Sequence, residues 1–187
     1  MTDQQRSFLF LLASSREGGN TETLARRAAE QLPPGTEQRW LRLDDLPLPV
    51  FHDVRHDHEV PAPTGNERLL LDATLAATDL VIASPLYWYS VSSSAKLYLD
   101  YWSAWMRLPG VDFRARMGGK TFWSVTALSE DDPAVAEPLI DSLKLSARYL
   151  KANWGGALLG NGSRPGDVLN DHGALEAADS FFAPALV

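Results

Sequence analysis

Short, unbroken apolar runs alternate along this chain with longer amphipathic stretches, and that rhythm restricts the fold more than any other feature. Ser7–Ala13 (SFLFLLA) has no polar alternation and reads as a strand buried on both faces. Asp79–Ser84 is of the same kind, and Gln38–Leu43, Lys120–Leu128 and Gly155–Gly160 read as three further strands. Between them the spacing predicts helices over Thr21–Leu32, about Asn66–Thr78, Ser92–Met106, Leu139–Lys151 and Ala174–Phe182. Asn20 is placed to cap the first helix, Pro33-Pro34-Gly35 to stop it, and Asp44 to Gly65 to form a long polar loop. Such alternation requires a parallel sheet with helices on both faces, a three-layer α/β domain. Right-handed crossovers leave the order 2-1-3-4-5 as the common five-stranded arrangement. Ligands bind such sheets beyond the carboxyl ends of the strands, so a site is expected in the loops after Ala13, Ser84 and Leu128.

Composition narrows the function. A chain of 187 residues suits one domain spanning residues 1–187 and should bury roughly 70% of its unfolded surface. There are no cysteines, which excludes a disulfide scaffold, thiolate metal sites, iron–sulfur ligation and a cysteine nucleophile. The longest apolar run, Phe8 to Ala13, is six residues, against the ~20 needed to span a bilayer. With no membrane segment and no cleavage site after that run, a cytoplasmic protein is expected. The net charge of −7 and the lack of a dense Lys/Arg run argue against a nucleic-acid partner, Arg114 and Arg116 being the nearest thing to a basic patch.

The first loop, Ser14-Ser15-Arg16-Glu17-Gly18-Gly19-Asn20-Thr21, offers hydroxyls, a guanidinium, flexible glycines and the free amides of a helix start. Those groups suit an anion, because the helix dipole and its N–H groups both favour negative charge. No G-x-G-x-x-G occurs. Gly119-Lys120-Thr121 mimics the end of a Walker A motif, but Arg114 stands where the first glycine belongs and the triplet precedes its strand. The segment SSREGGNTETLA resembles the phosphate loop of the flavodoxin-like NAD(P)H-dependent FMN reductases, whose pattern is close to S-x-R-x-G-G-N-T. That resemblance implies that Ser14, Arg16, Asn20 and Thr21 hold the FMN phosphate, with Gly19 among the cofactor-binding residues.

In the second loop, Pro85-Leu86-Tyr87-Trp88-Tyr89-Ser90-Val91-Ser92, three consecutive aromatics at a strand end are hard to explain as packing, because successive side chains point to opposite sides. A flat conjugated ring could use them. P-x-Y-W-x-S-V-S followed by Lys96 and Asp100 is similar to the same family's isoalloxazine loop, so Pro85, Leu86, Tyr87, Trp88 and Tyr89 are implied to contact the flavin ring. Lys96 and Asp100, four apart on a helix, read as an ion pair. In the third loop, Thr126 is a further expected flavin contact, and Ala127 stands where the family often has glycine.

Three other features compete for a role. His52, His56 and His58 sit among Asp53, Asp57 and Glu59 but read as solvated surface, with no defined ligand geometry for a metal. Tyr98, Tyr101, Trp102 and Trp105 form an aromatic stripe at helical spacing, large enough to predict a subunit interface as well as core packing. No G-x-S-x-G is present. The resemblance implies a flavodoxin-like, FMN-dependent oxidoreductase carrying hydride from NAD(P)H to a small acceptor such as a quinone, free flavin, azo or nitro compound, as a homodimer or homotetramer. The alternatives are a one-electron carrier of flavodoxin type, disfavoured by the arginine in the phosphate loop, and a non-catalytic module of the same fold. NADH and NADPH stay open, with Arg16, Arg55, Arg114 and Arg116 as candidates for a 2′-phosphate.

Overall fold

A computed structural model describes residues 5–54 and 60–183. Five strands, β1 (Ser7–Leu12), β2 (Glu37–Arg42), β3 (Asp79–Ala83), β4 (Thr121–Leu128) and β5 (Asn153–Asn161), form one parallel sheet in the order 2-1-3-4-5, as expected. The helices are α1 (Asn20–Ala29), α2 (Gly65–Ala76), α3 (Ser93–Trp105), α4 (Phe113–Met117), α5 (Glu137–Tyr149) and α6 (His172–Ala178). Strand side chains alternate between faces, which divides the core in two. Phe8, Phe10, Leu12, Val81, Trp123 and Val125 pack against α1 and α6. Leu9, Leu11, Leu80, Ile82 and Phe122 pack against α2, α3 and α5. Each such side chain contributes about 1.5–3 kcal/mol by burial, which is why β1 and β3 are almost wholly apolar, while the two buried hydroxyls of β4, on Ser124 and Thr126, face each other.

Two expectations are corrected, one further helix appears, and the aromatic stripe is placed in the core. Asn20 does not cap α1: Gly19 is the N-cap residue, and the Asn20 carboxamide turns instead to the loop after β5. The short helix α4 was hidden by the charged pattern of Phe113-Arg114-Ala115-Arg116-Met117, of which Phe113 and Met117 are buried. The final helix spans His172–Ala178, because Asp171 caps it by accepting from the Ala174 N–H. The core-packing half of the stripe's expected role is seen directly: Tyr98, Tyr101, Trp102 and Trp105 are buried within this one chain, with Trp102 also lining a groove between α3 and α5. Phe113 lies under Trp102 and Trp105, and the supposedly polar loop after β2 sends Leu46, Leu48 and Phe51 onto the same cluster. Two of the polar ends are met within the chain: the Tyr101 hydroxyl donates to the Pro49 carbonyl (3.0 Å) and the Trp105 indole N–H to Glu67 (3.0 Å).

One glycine is dictated by packing. A Cβ on Gly155 would lie 2.5 Å from the Trp123 ring, where the β4–β5 register shifts between Phe122 and Trp123. The start of the sheet carries its own polar cluster: Asp79 pairs with Arg6 (2.6 Å) and accepts from the Trp123 indole N–H (2.9 Å). Lys120 donates to the Leu75 and Ala77 carbonyls at the end of α2, and burial together with the charge of Arg116 lowers its pKa. The Gly119-Lys120-Thr121 triplet and Arg114 and Arg116 therefore lie at the opposite end of the sheet from the loops that could hold a ligand.

Candidate functional site

The carboxyl ends of β1, β3, β4 and β5 converge on a cavity of about 220 Å³. Ser14, Arg16, Gly19, Asn20, Thr21, Pro85, Leu86 and Tyr87 all line it, so two loops 70 residues apart in the sequence meet here as expected from the strand order. Trp88 and Tyr89 stand outside that lining, and Thr126 is buried within β4, its hydroxyl against that of Ser124 (3.2 Å). The loop after β4, expected at the site, lines it through Ala127, Leu128 and Ser129; sequence reasoning missed Gly162 and Ser163 from the loop after β5. The glycine-rich turn Gly160-Asn161-Gly162-Ser163 was a usable signal, since in a parallel sheet every such loop emerges at the same edge.

The first loop presents donors. No side chain among the described residues caps α1, which leaves its first-turn amides for a ligand. Ser14 Oγ accepts from the Arg16 N–H (3.2 Å), bending the chain back at the end of β1. Gly18 has φ +62°, the left-handed region that favours glycine, and a Cβ on Gly19 would come within 3.3 Å of Arg16 Cβ. Arg16 Nη1 donates to the Ser163 carbonyl (3.0 Å), so its guanidinium spans from the first loop to the last. The Asn20 carboxamide donates to the Arg164 carbonyl (2.9 Å) and accepts from the Gly166 N–H (2.9 Å), tying the two loops together. Thr21 Oγ1 accepts from the Ala127 N–H (3.4 Å), joining α1 to the end of β4. Beneath the loop, burial raises the Glu22 pKa, but hydrogen bonds from Arg42, Arg26 and the Gly18 N–H and the charge of Arg42 outweigh it and hold it low.

The second loop is a tight turn. Tyr87 and Ser90 exchange both backbone hydrogen bonds at 3.0 Å, with Trp88 (φ 50°) and Tyr89 (φ 63°) between them. Two successive positive φ values make this a type I′ turn, a geometry that favours Asn-Gly and strains bulky residues. Trp88 is 94% exposed. Ser84 Oγ accepts from the Ser92 N–H (2.9 Å), and Ser92 caps α3 by accepting from the Ala95 N–H, so the turn stands on a fixed base. Lys96 and Asp100 form the expected exposed ion pair (2.5 Å).

Other candidates lie apart. A wider cavity of about 460 Å³ between the loop after β2 and the start of α3 is lined mainly by Leu43, Leu46, Leu48 and Leu97, with Asp44 as its charged group. That lining opposes an anion. His56, His58, Asp57, Glu59 and Arg55 lie outside the described residues, and no metal-ligating group of three is present among the described ones. No helix among the described residues is long and apolar enough to cross a membrane.

The donor set fits a phosphate continuous with a planar group: amides, a hydroxyl and a guanidinium at one end, Pro85, Leu86 and Tyr87 at the other. Comparison with known proteins gives the family. Residues 7–151 match the family described as NADPH-dependent FMN reductase. A Bacillus subtilis (strain 168) protein, YwqN, named provisionally as an NAD(P)H-dependent FMN-containing oxidoreductase, is 33% identical over 167 residues, covering 88% of this chain and 90% of its own. Among solved structures, Trp repressor binding protein from Bacillus subtilis superposes with a TM-score of 0.75 at 27% identity, covering 94% of this chain and 97% of the other. An FMN-dependent NADH-azoreductase from Bacillus anthracis in complex with FMN shares the fold (TM-score 0.65, 14% identity, 94% and 96% coverage). This chain belongs to the NADPH-dependent FMN reductase family, as an oxidoreductase with FMN as cofactor and NAD(P)H as reductant.

Proposed function

We propose that the 220 Å³ cavity holds FMN with its phosphate at the first loop and its ring along the second, and that the chain passes hydride from NAD(P)H to a small planar acceptor. Quinones, free flavins, azo compounds and nitro compounds are the acceptor classes this reading admits. FMN supplies the hydride chemistry when bound, so the chain needs no acid or base of its own. Its residues bind and orient. Arg16 and the amides of α1 meet the phosphate, the Ser14 hydroxyl adds a donor, and Thr21 fixes the helix start against β4. Asn20 acts from the side, holding the loop after β5 against the phosphate loop. Pro85, Leu86 and Tyr87 line the ring end and exclude water from it, while Trp88 and Tyr89 stand at the rim where reductant and acceptor alternate.

The observation that carries this reading is the meeting of anion donors and an aromatic loop in one cavity at the switch between β1 and β3. An electron carrier would present the same ring to a protein partner, so reduction by nucleotide separates the two. The FMN-loaded protein should lose its oxidised flavin absorbance on adding NADPH or NADH and regain it with menadione. Persistence of the oxidised spectrum with both nucleotides would refute the reductase. We also read the chain as one cytoplasmic domain that forms a homodimer. A groove of about 320 Å³ between α3 and α5, lined by Leu99, Met106 and Trp102 of the aromatic stripe and bordered by exposed Leu145 and Tyr149, is the apolar surface we assign to the second copy. Sedimentation at micromolar concentration tests it, and a monomer refutes it.

A further inference from the structure

Glu22 has no task in hydride transfer, yet it is a carboxylate buried at the first turn of α1, its side chain 7% exposed. A buried charge persists only when paired and hydrogen-bonded. Glu22 is paired with Arg42 of β2 (2.5 Å) and Arg26 (2.7 Å), and it accepts from the Gly18 N–H (3.0 Å). Arg42 goes on to donate through Nη1 to two carbonyls of the first loop, those of Ser14 (3.4 Å) and Arg16 (3.3 Å). One ion pair thus grips the loop at residues 14, 16 and 18.

The choice of groups matters. An anion site must present N–H groups and keep carbonyls away, because a carbonyl facing a phosphate repels it. In a planar trans peptide the C=O and N–H point in opposite directions. A guanidinium that draws the Ser14 and Arg16 carbonyls to itself therefore aims the next amides, of Ser15 and Glu17, the other way. Glu22 keeps Arg42 in place, and its own charge is spent on Arg42 and Arg26, at a helix start where a carboxylate suits the dipole.

We propose that Glu22 and Arg42 are positioning residues for the cofactor phosphate, an ion pair that sets the first loop in its anion-binding shape before FMN arrives. The proposal rests on the reading that the phosphate sits at this loop. It extends that reading to a residue from β2, which lies outside the loop and does not line the cavity.

The test titrates FMN, riboflavin and inorganic phosphate into the wild type, Glu22→Gln, Arg42→Lys and Arg16→Ala, with thermal midpoints recorded in parallel. Glu22→Gln and Arg42→Lys should weaken FMN by roughly 10-fold or more and leave riboflavin within about twofold, so that discrimination between the two flavins collapses. Lysine keeps the charge of Arg42 but cannot serve a carboxylate and two carbonyls together, so it probes geometry even where the glutamine variant folds poorly. Loss of both flavins in parallel, or of neither, overturns the proposal. Hydrogen exchange on the FMN-free wild type gives a second reading without a variant: the Gly18 amide should already be protected. Fast exchange there that slows only on adding FMN would mean that the ligand shapes the loop, and the proposal fails. Arg16→Ala separates the two levels. If it abolishes the preference for FMN while Glu22→Gln does not, only the clamp is wrong; if it leaves the preference intact, the phosphate lies elsewhere.

Discussion

The Trp88–Tyr89 turn stores strain that can be released by substitution. Both residues sit at positive φ, 50° and 63°, where bulky L-residues are unfavourable, and each such position costs about 1–3 kcal/mol. Packing does not compensate at Trp88, which is 94% exposed, and the turn survives because Tyr87 and Ser90 exchange two hydrogen bonds above the Ser84–Ser92 brace. Asn and Gly are the residues a type I′ turn prefers. Replacing Trp88→Asn and Tyr89→Gly together should therefore remove strain at both positions. Tyr89 is partly covered, and glycine adds freedom to the unfolded chain. Those losses reduce the net gain to about 1–2 kcal/mol. For a chain of this size that is a rise in Tm of roughly 2–8 °C, readable by calorimetry on the FMN-free protein. The same variant should reduce NADPH with menadione more slowly at saturating FMN, because the rim aromatics are gone. A fall in Tm would refute the strain argument. A rise in Tm with unchanged turnover would uphold the strain argument and remove Trp88 and Tyr89 from the site.

Three further outcomes follow from the geometry. Arg16→Ala should weaken FMN by roughly 10- to 150-fold, the worth of a charge-assisted hydrogen bond, and leave riboflavin nearly untouched; additive losses for the two ligands would mean that Arg16 does not meet the phosphate. Trp102→Ala should cost about 3–5 kcal/mol in urea unfolding, because the ring is packed between Tyr98, Phe113 and Phe122; weakened association without lost stability would return the stripe to an interface role. The stability advantage of the wild type over Glu22→Gln should be constant above pH 5 or so and shrink as pH falls below the ordinary carboxyl value of 4.5. Its folded-state pKa lies below the unfolded one, so the charged form stabilises the fold until the proton returns at low pH; an advantage that grows on acidification contradicts that order.

What the sequence revealed and what it concealed divide along a physical line. The strands were legible because burial on both faces forbids polar residues, so SFLFLLA and DLVIA announce themselves without any tertiary knowledge. The strand order then placed the loops after β1, β3 and β4 at one edge, and the residues Ser14, Arg16, Gly19 and Tyr87 do meet there. Roles settled by partners far away were not legible. Asn20 looks like a helix cap by position, but its carboxamide finds better-placed partners 144 and 146 residues on, at Arg164 and Gly166. The aromatic stripe looked too large for one helix face because the loop after β2 was read as polar, whereas its Phe51 packs on Tyr101 and its Leu46 and Leu48 on the core cluster that holds the stripe. Arg42 gave no signal at all, since an arginine ending an edge strand is ordinarily solvent-facing. Its part in the first loop depends on Glu22, and that pairing exists only once β2 lies beside β1. The binding loop is therefore written in one stretch of sequence, while the shape that lets it bind is written in another.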